Sequence, residues 1–405
     1  MLVVQRLYGG ASLETAVLEL LRGLPASFWP NPCKRVREWQ RQEKSISSHT
    51  GAYNQARQSM PLSVVEQSCD RIFQELVARA SPAVEPAQRA FLLDGSSMSL
   101  AHSATLHQKY PPGSNQYRQG HWPLLRVLVA HDLHTGLAMR PEWGPMYGPN
   151  AVSEQELLEA AIGRLPTNST IIGDINFGVF SVVWAASQSN HPVVLRLSRQ
   201  RAKRLAGQEV EHEIDREVVW KPSAADRKTH PQFPSEAAVR GRLLARKVQP
   251  SNGKTPILLV LFSTLPGSCE QSMELYGQRW NIETDLRTLK NTLCLDQFTS
   301  STPEMVAKEI NMGIAAYNLV RAVTVLASQQ SGAPPRAYSF SKVRRILLIF
   351  GPKLADTSDP EEAERLFEQI MGWVQQSKLP QRKRTRPSYP RQVWRRRAPF
   401  PPRRK

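Results

Sequence analysis

Three acidic residues, Asp94, Asp174 and Glu283, lie in surroundings that suit chemistry on a phosphodiester. Asp94 follows the apolar run RAFLL and Asp174 follows STIIG, and small or turn-forming residues come next in both cases. A carboxylate at the end of such a strand reaches the open edge of a sheet at little desolvation cost. Glu283 lies in ELYGQRWNIETDLRTLKNTL, where Tyr276, Arg279, Glu283 and Lys290 recur at steps of three, four and seven. Three converging carboxylates repel one another unless cations share the site, and oxygen donors suit Mg²⁺ or Mn²⁺. Two such ions serve phosphoryl transfer by activating the attacking oxygen and stabilising the leaving one.

For that chemistry Glu283 must stand on a helix beside the sheet. On a helical wheel at about 100° per residue, Tyr276, Arg279, Glu283, Arg287 and Lys290 share an arc of roughly 80°. Ile282, Leu286, Leu289 and Leu293 form the adjoining stripe that packs on a core. The polar face therefore flanks a buried stripe, from where Tyr276, Arg279 and Lys290 can hold phosphates. The bland alternative is a solvated face laced with pairs such as Glu283–Arg287.

The elements around these residues alternate in period. Residues 1 to about 85 read as helical, with Leu13, Val17, Leu20 and Leu21 on one face and a Ser63–Glu66 capping box before a long helix. From Arg89 the pattern is three strands, helix, strand, helix, strand, which suits a mixed α/β sheet. LLRVLVAHDLHTGLAM reads as a hairpin turning at His134-Thr135-Gly136, and Ser153 with Glu156 caps the helix that follows. Residues 199 to 268 read as short antiparallel strands inserted into that core. Helices return afterwards, one of them opened by Thr302 and Pro303. Ser96 and Ser97 read as turn residues without a histidine partner, and His131 and His134 as metal-like spacing that lacks a third ligand.

Composition narrows the partner. The 405-residue chain carries a net charge of +18, which attracts polyanions. Residues 379–405 hold eleven Lys or Arg, six prolines and no acid, with Tyr389, Trp394 and Phe400 interleaved. That is a tail suited to phosphate neutralisation and stacking, or to targeting. Four scattered cysteines form no zinc or disulfide pattern, and the apolar run Ile257–Phe262 is too short to span a bilayer. These features point to nucleic acid, in a reducing compartment, rather than to a membrane.

Tyr276-x2-Arg279-x3-Glu283-x6-Lys290 resembles the Tyr-Arg-Glu-Lys signature of the DDE transposases of bacterial insertion sequences, in the insertion-sequence-four family. LLDGSSMSL and IIGDINFG are similar to the family's two aspartate strands, and GAYNQARQSMP, YNLVRA and RPSYPR to further segments, so the likeness runs along almost the whole chain. It implies a ribonuclease-H-like mixed sheet flanked by helices, with a β-rich insertion at 199–268 and a helical N-terminal DNA-binding region at 1–85. It implies core segments at 86–198 and 269–330, C-terminal helices at 331–378 and the basic tail. The metal ligands and catalytic residues implied are Asp94, Asp174 and Glu283, with Mg²⁺ as cofactor (Mn²⁺ substituting). Tyr276, Arg279, Trp280 and Lys290 are the implied DNA contacts. The resemblance further implies a bacterial cytoplasmic enzyme that acts as a dimer, cutting the inverted ends of its element and joining them to target DNA. Ile175 and Asn176 depart from the family, which has arginine and often a small residue after the second aspartate. That departure leaves open a DNA-binding descendant without catalysis; a nuclease of the same fold is a further alternative.

Overall fold

The computed structural model describes residues 2–23, 34, 37–38, 41, 49–80, 89–114, 120–249, 255–296, 298 and 300–380, the backbone alone for 20–23. Most of the basic stretch Lys34–Lys44 and of the tail 379–405 lies outside the described residues.

The chain opens with helices α1 (Leu2–Leu7), α2 (Leu13–Gly23), α3 (Thr50–Ser59) and α4 (Leu62–Ala80). The expected Ser63–Glu66 box does not form. Helix α4 starts at Leu62, with the Pro61 carbonyl accepting from Val64 and Val65, so Ser63 already lies in the first turn. Proline's fixed φ lets the chain enter the helix without a side-chain cap.

Then follow β1 (Ala90–Ser99), the short α5 (Ala104–Lys109), β2 (Leu124–Asp132), β3 (Glu142–Pro145), α6 (Glu154–Ile162), β4 (Thr170–Gly173), α7 (Phe180–Gln188) and β5 (Val193–Arg196). Between β2 and β3 the Asp132 carboxylate accepts from the Thr135 amide at 2.7 Å and its hydroxyl at 2.6 Å, and Gly136 takes the left-handed conformation this turn requires. The hairpin is there, but its return arm touches β2 only at the His131–Ala138 bridge before β3 begins. The Ser153–Glu156 capping box forms as expected.

Next come α8 (Arg199–Ala206), β6 (Ile214–Trp220), α9 (Ala224–Thr229), β7 (Val239–Val248) and β8 (Ile257–Ser263). RQRAKRLA, expected as strand, is helical: Ser198 caps it and Gly207 ends it in the left-handed region. Arginine, lysine, leucine and alanine are also good helix formers. Among the described residues, eight strands make one sheet in the order β3-β2-β1-β4-β5-β8-β7-β6. β1, β4 and β5 run parallel to one another and the other neighbours are antiparallel. The strands of residues 199–268 thus extend the same sheet through β8, which pairs with β5.

The chain closes with α10 (Cys269–Gly277), a 3₁₀ turn (Gln278–Trp280), α11 (Asn281–Arg287), a π-helical turn (Thr288–Thr292), α12 (Pro303–Ser331), α13 (Phe340–Asp356) and α14 (Pro360–Gln376). Alternating sheet residues divide two cores. Phe91, Leu93, Ile171 and Leu195 face α6 and α7, whereas Leu92, Ile172, Val194 and Leu261 face α10 to α14.

Helix α12 is long and apolar enough to cross a membrane by length and composition. It lies instead in the second core, carrying buried Lys308, Glu309, Asn311, Asn318 and Arg321. The Asn318 amide both donates to and accepts from the Ala138 backbone, at 2.7 and 2.8 Å. Lys308, fully buried, donates to the last-turn carbonyls Arg57 (3.2 Å) and Gln58 (2.8 Å) of α3, where a cation also meets the negative end of the helix. Glu309 binds Arg6 at 2.5 Å and Arg57 at 3.4 Å. Lys308→Met leaves two carbonyls unpaired. It should cost about 1–3 kcal/mol in urea unfolding and speed proteolysis before residue 81.

Candidate active site

β4 pairs with β1 through Ala90–Thr170, Phe91–Ile171 and Leu92–Ile172. Two further steps along that register bring Asp94 opposite Asp174, on strands about 4.8 Å apart. Side-chain alternation turns both aspartates toward the face carrying Leu92 and Ile172, the side on which α10 and α11 pack. The expectation that both aspartates end their strands holds for Asp174 only. β1 runs on to Ser99 because β2 continues beside it, pairing Asp94 with Val129 and Ser99 with Leu124, so Ser96 and Ser97 are strand residues rather than turn residues. Asp94 therefore stands where one neighbour stops and the other continues.

Each aspartate is fixed locally. The Gly95 amide donates to Asp94 Oδ1, and the Asn176 amide to Asp174 Oδ1, both at 2.8 Å. Burial and then the charge of Asp174 push the Asp94 carboxyl up to about 6, while Arg279 acts in the opposite sense.

The stretch expected as one continuous helix is broken into α10, the 3₁₀ turn, α11 and the π turn. Its apolar stripe is as read: Ile282, Leu286, Leu289 and Leu293 are buried. Tyr276 is buried too, rather than on a polar flank, and hydrogen-bonds Arg196 at the end of β5; burial raises its phenol, which Arg279 and Asp174 also influence. Arg279 is 3.4 Å from Glu283, and its guanidinium lies over the Trp280 ring at 4.9 Å. Trp280 is 65% exposed, so it does not pack in the core beside Ile282. Lys290 lies in the π turn, half-buried, its ammonium lowered by burial and opposed by Asp296.

The fold thus draws Asp94, Asp174, Tyr276 and Arg279 into one electrostatic neighbourhood, with Glu283 attached through Arg279. Among the described residues, Lys290 makes no hydrogen bond or ion pair with them. Sequence reasoning missed Arg196, Glu154 and Arg201, whose guanidinium holds the Ile175 carbonyl at 3.1 Å. Their proximity follows from strand order, for which no local signal exists. His131 is fully buried and neutral, burial lowering it to about 4, and it faces Asp285 rather than His134.

A family model described as "Transposase DDE domain" matches residues 85–319, a span that contains both aspartates and Glu283. The chain belongs to that family. It is also 27% identical over 287 residues to the transposase InsG for insertion sequence element IS4 of Escherichia coli (strain K12), covering 67% of this chain and 60% of that relative. The chain thus spans less than two thirds of the relative's length.

Membership of the DDE transposase family implies a divalent metal ion. Among the described residues no three His, Cys, Asp or Glu side chains are grouped to hold one. Asp94 and Asp174 nevertheless fit a small hard cation. They are two adjacent oxygen donors whose mutual repulsion a divalent charge relieves, and Mg²⁺ commonly takes only one or two carboxylates from protein.

The helix of Glu283 is anchored from its opposite side. Asp285, fully buried, accepts from Arg321 at 2.7 Å, Arg336 at 2.6 Å and the Tyr317 hydroxyl at 3.1 Å. Burial alone raises its carboxyl; the charges of Arg321 and Arg336 outweigh that and hold it below the usual range. Arg336 also donates to the carbonyls of Asp132 and Leu133, so one carboxylate ties α11 to α12 and to the β2–β3 turn. Asp285→Asn strands two guanidiniums and should cost about 3–5 kcal/mol in equilibrium unfolding.

Asp94 supplies the opposite sign. Its carboxyl holds a proton more tightly folded than unfolded, so stability is lost as pH rises from the ordinary 3.8 through about 6. Asp94→Asn should stabilise the metal-free protein by about 1–3 kcal/mol above pH 6, an advantage that vanishes toward pH 4 in thermal melts.

Proposed function

We propose that the chain is a DNA transposase that binds the terminal inverted repeats of its own insertion sequence and cuts and joins DNA with Asp94, Asp174 and Glu283 as catalytic carboxylates. The register coincidence of Asp94 with Asp174 in a chain of the DDE family carries this reading. The order β3-β2-β1-β4-β5 supports a ribonuclease-H-like core (residues 86–198 and 269–330), with β6 to β8 belonging to an insertion at 199–268. Residues 1–85 and the tail 379–405 are assigned to DNA binding, and 331–378 to C-terminal support.

Asp94, Asp174 and Glu283 would hold Mg²⁺, for which Mn²⁺ would substitute, Glu283 by giving up its Arg279 contact. Bound there, a divalent ion supplies activation of the attacking water or 3′-hydroxyl and stabilisation of the leaving oxygen. Arg279, released from Glu283, is placed to take a phosphate oxygen beside the scissile bond. Tyr276, within the influence of the Asp174 charge and hydrogen-bonded to Arg196, would meet the DNA there, Trp280 offers an exposed face for a base, and Lys290 a further phosphate contact. Double-stranded DNA is the partner, bound by a dimer in the bacterial cytoplasm.

Purified protein should nick and join DNA carrying the element's terminal repeats in Mg²⁺ or Mn²⁺. Asp94→Asn, Asp174→Asn or Glu283→Gln should each lower the rate at least a thousandfold, and cleavage surviving all three substitutions would sink the assignment. Salt-sensitive binding without cleavage would select a non-catalytic descendant, and cleavage without joining a nuclease.

A further inference from the structure

Asp174 opens a tight turn. The Phe177 amide donates to the Asp174 carbonyl at 3.2 Å, and the Asn176 amide to the Asp174 carboxylate at 2.8 Å. At its far end the turn is held by packing. Phe177 is buried, and a Cβ on Gly178 would overlap the Arg196 carbonyl, so the chain there lies against the end of β5. The two middle side chains, Ile175 and Asn176, are exposed.

The carbonyls of those two middle residues each receive a side chain from outside the turn. Arg201 of α8 donates through Nη1 to the Ile175 carbonyl at 3.1 Å. Gln155 of α6 donates through Nε2 to the Asn176 carbonyl at 2.8 Å. A carbonyl and the next residue's N–H belong to one rigid plane. Arg201 therefore grips the plane whose N–H holds the Asp174 carboxylate, and Gln155 the plane whose N–H holds the Asp174 carbonyl.

Helix capping accounts for neither contact, since Ser198 caps α8 and the Ser153–Glu156 box caps α6. Water would satisfy exposed carbonyls without ordering two long side chains, which costs rotamer freedom. For Arg201 the placement also costs solvation: burial lowers its guanidinium, and Asp226 opposes that only in part.

We propose that Arg201 and Gln155 are positioning residues for Asp174, which aim its carboxylate before a divalent cation arrives. The inference rests on the reading of Asp174 as a metal ligand. Two helices from separate parts of the chain then act on one ligand through two consecutive peptide planes.

Calorimetric titration of the full-length, DNA-free protein with MnCl₂ tests this. Arg201→Met removes both a donor and a positive charge. On charge alone, losing a cation near the site tightens Mn²⁺ binding. Lost positioning should instead weaken it about tenfold. Arg201→Lys, which still carries a donor, should restore most of that loss. Gln155→Met changes no charge and should weaken binding severalfold, whereas Arg199→Met, which removes a neighbouring cation of α8, should not. A merely structural contact would lower the melting temperature of the metal-free variants and leave the Mn²⁺ affinity of the folded protein unchanged. Arg201→Met and Gln155→Met binding Mn²⁺ as tightly as the wild type, while Asp174→Asn loses binding, would overturn this inference alone. Wild-type affinity in Asp174→Asn would overturn the metal reading as well.

Discussion

Carboxylates on neighbouring parallel strands repel, and the register of β1 with β4 forces that encounter on Asp94 and Asp174. Much of the remaining structure can be understood as what makes the encounter tolerable. The Gly95 and Asn176 amides each supply a hydrogen bond, and Arg279 approaches from the α10–α11 junction. Burial still leaves the Asp94 carboxyl holding its proton well above the ordinary range. Such a pair weakens the folded chain by itself and becomes favourable only when positive charge arrives, which is the energetic form of a cation-dependent site.

The opposite arrangement occurs a short distance away. Asp285 is more deeply buried than Asp94, yet three hydrogen-bond donors hold it ionised, so its charge is structural. Two positions separate it from Glu283 on the same helix. One face of α11 is therefore locked to α12 and to the β2–β3 turn, while the other carries a half-exposed acid with a replaceable partner. Rigidity on one side and a replaceable contact on the other is what the ligand role proposed for Glu283 would require.

How much of this the residues disclosed depended on range. Period and capping are local, so the Ser153 box, the Thr302–Pro303 start and the stripe Ile282-Leu286-Leu289-Leu293 were legible. The apolar runs before Asp94 and Asp174 were legible as strands, but only Asp174 ends its strand, because β1 runs on beside β2. The continuity of the Tyr276–Leu293 helix was not legible, since the 3₁₀ and π turns arise where Tyr276 and Leu289 must both reach the core. RQRAKRLA misled because its charge pattern fits loop, strand and helix alike, and Ser198 and Gly207 decide it. The capping box revealed where α6 starts but not what lies beneath it, which is set by two strand crossings.

The grip of α12 on the N-terminal helices has a temporal meaning. Lys308 and Glu309 hold Arg57, Gln58 and Arg6 across some 250 to 300 residues of sequence. On a ribosome making about 5–20 residues per second, α1 and α3 emerge roughly 10–60 s before their partner does. During that interval α1 and α3 lack the α12 groups that hold them. α1 and α3 are thus made first and docked on α12 last, once the Glu283 helix is already present.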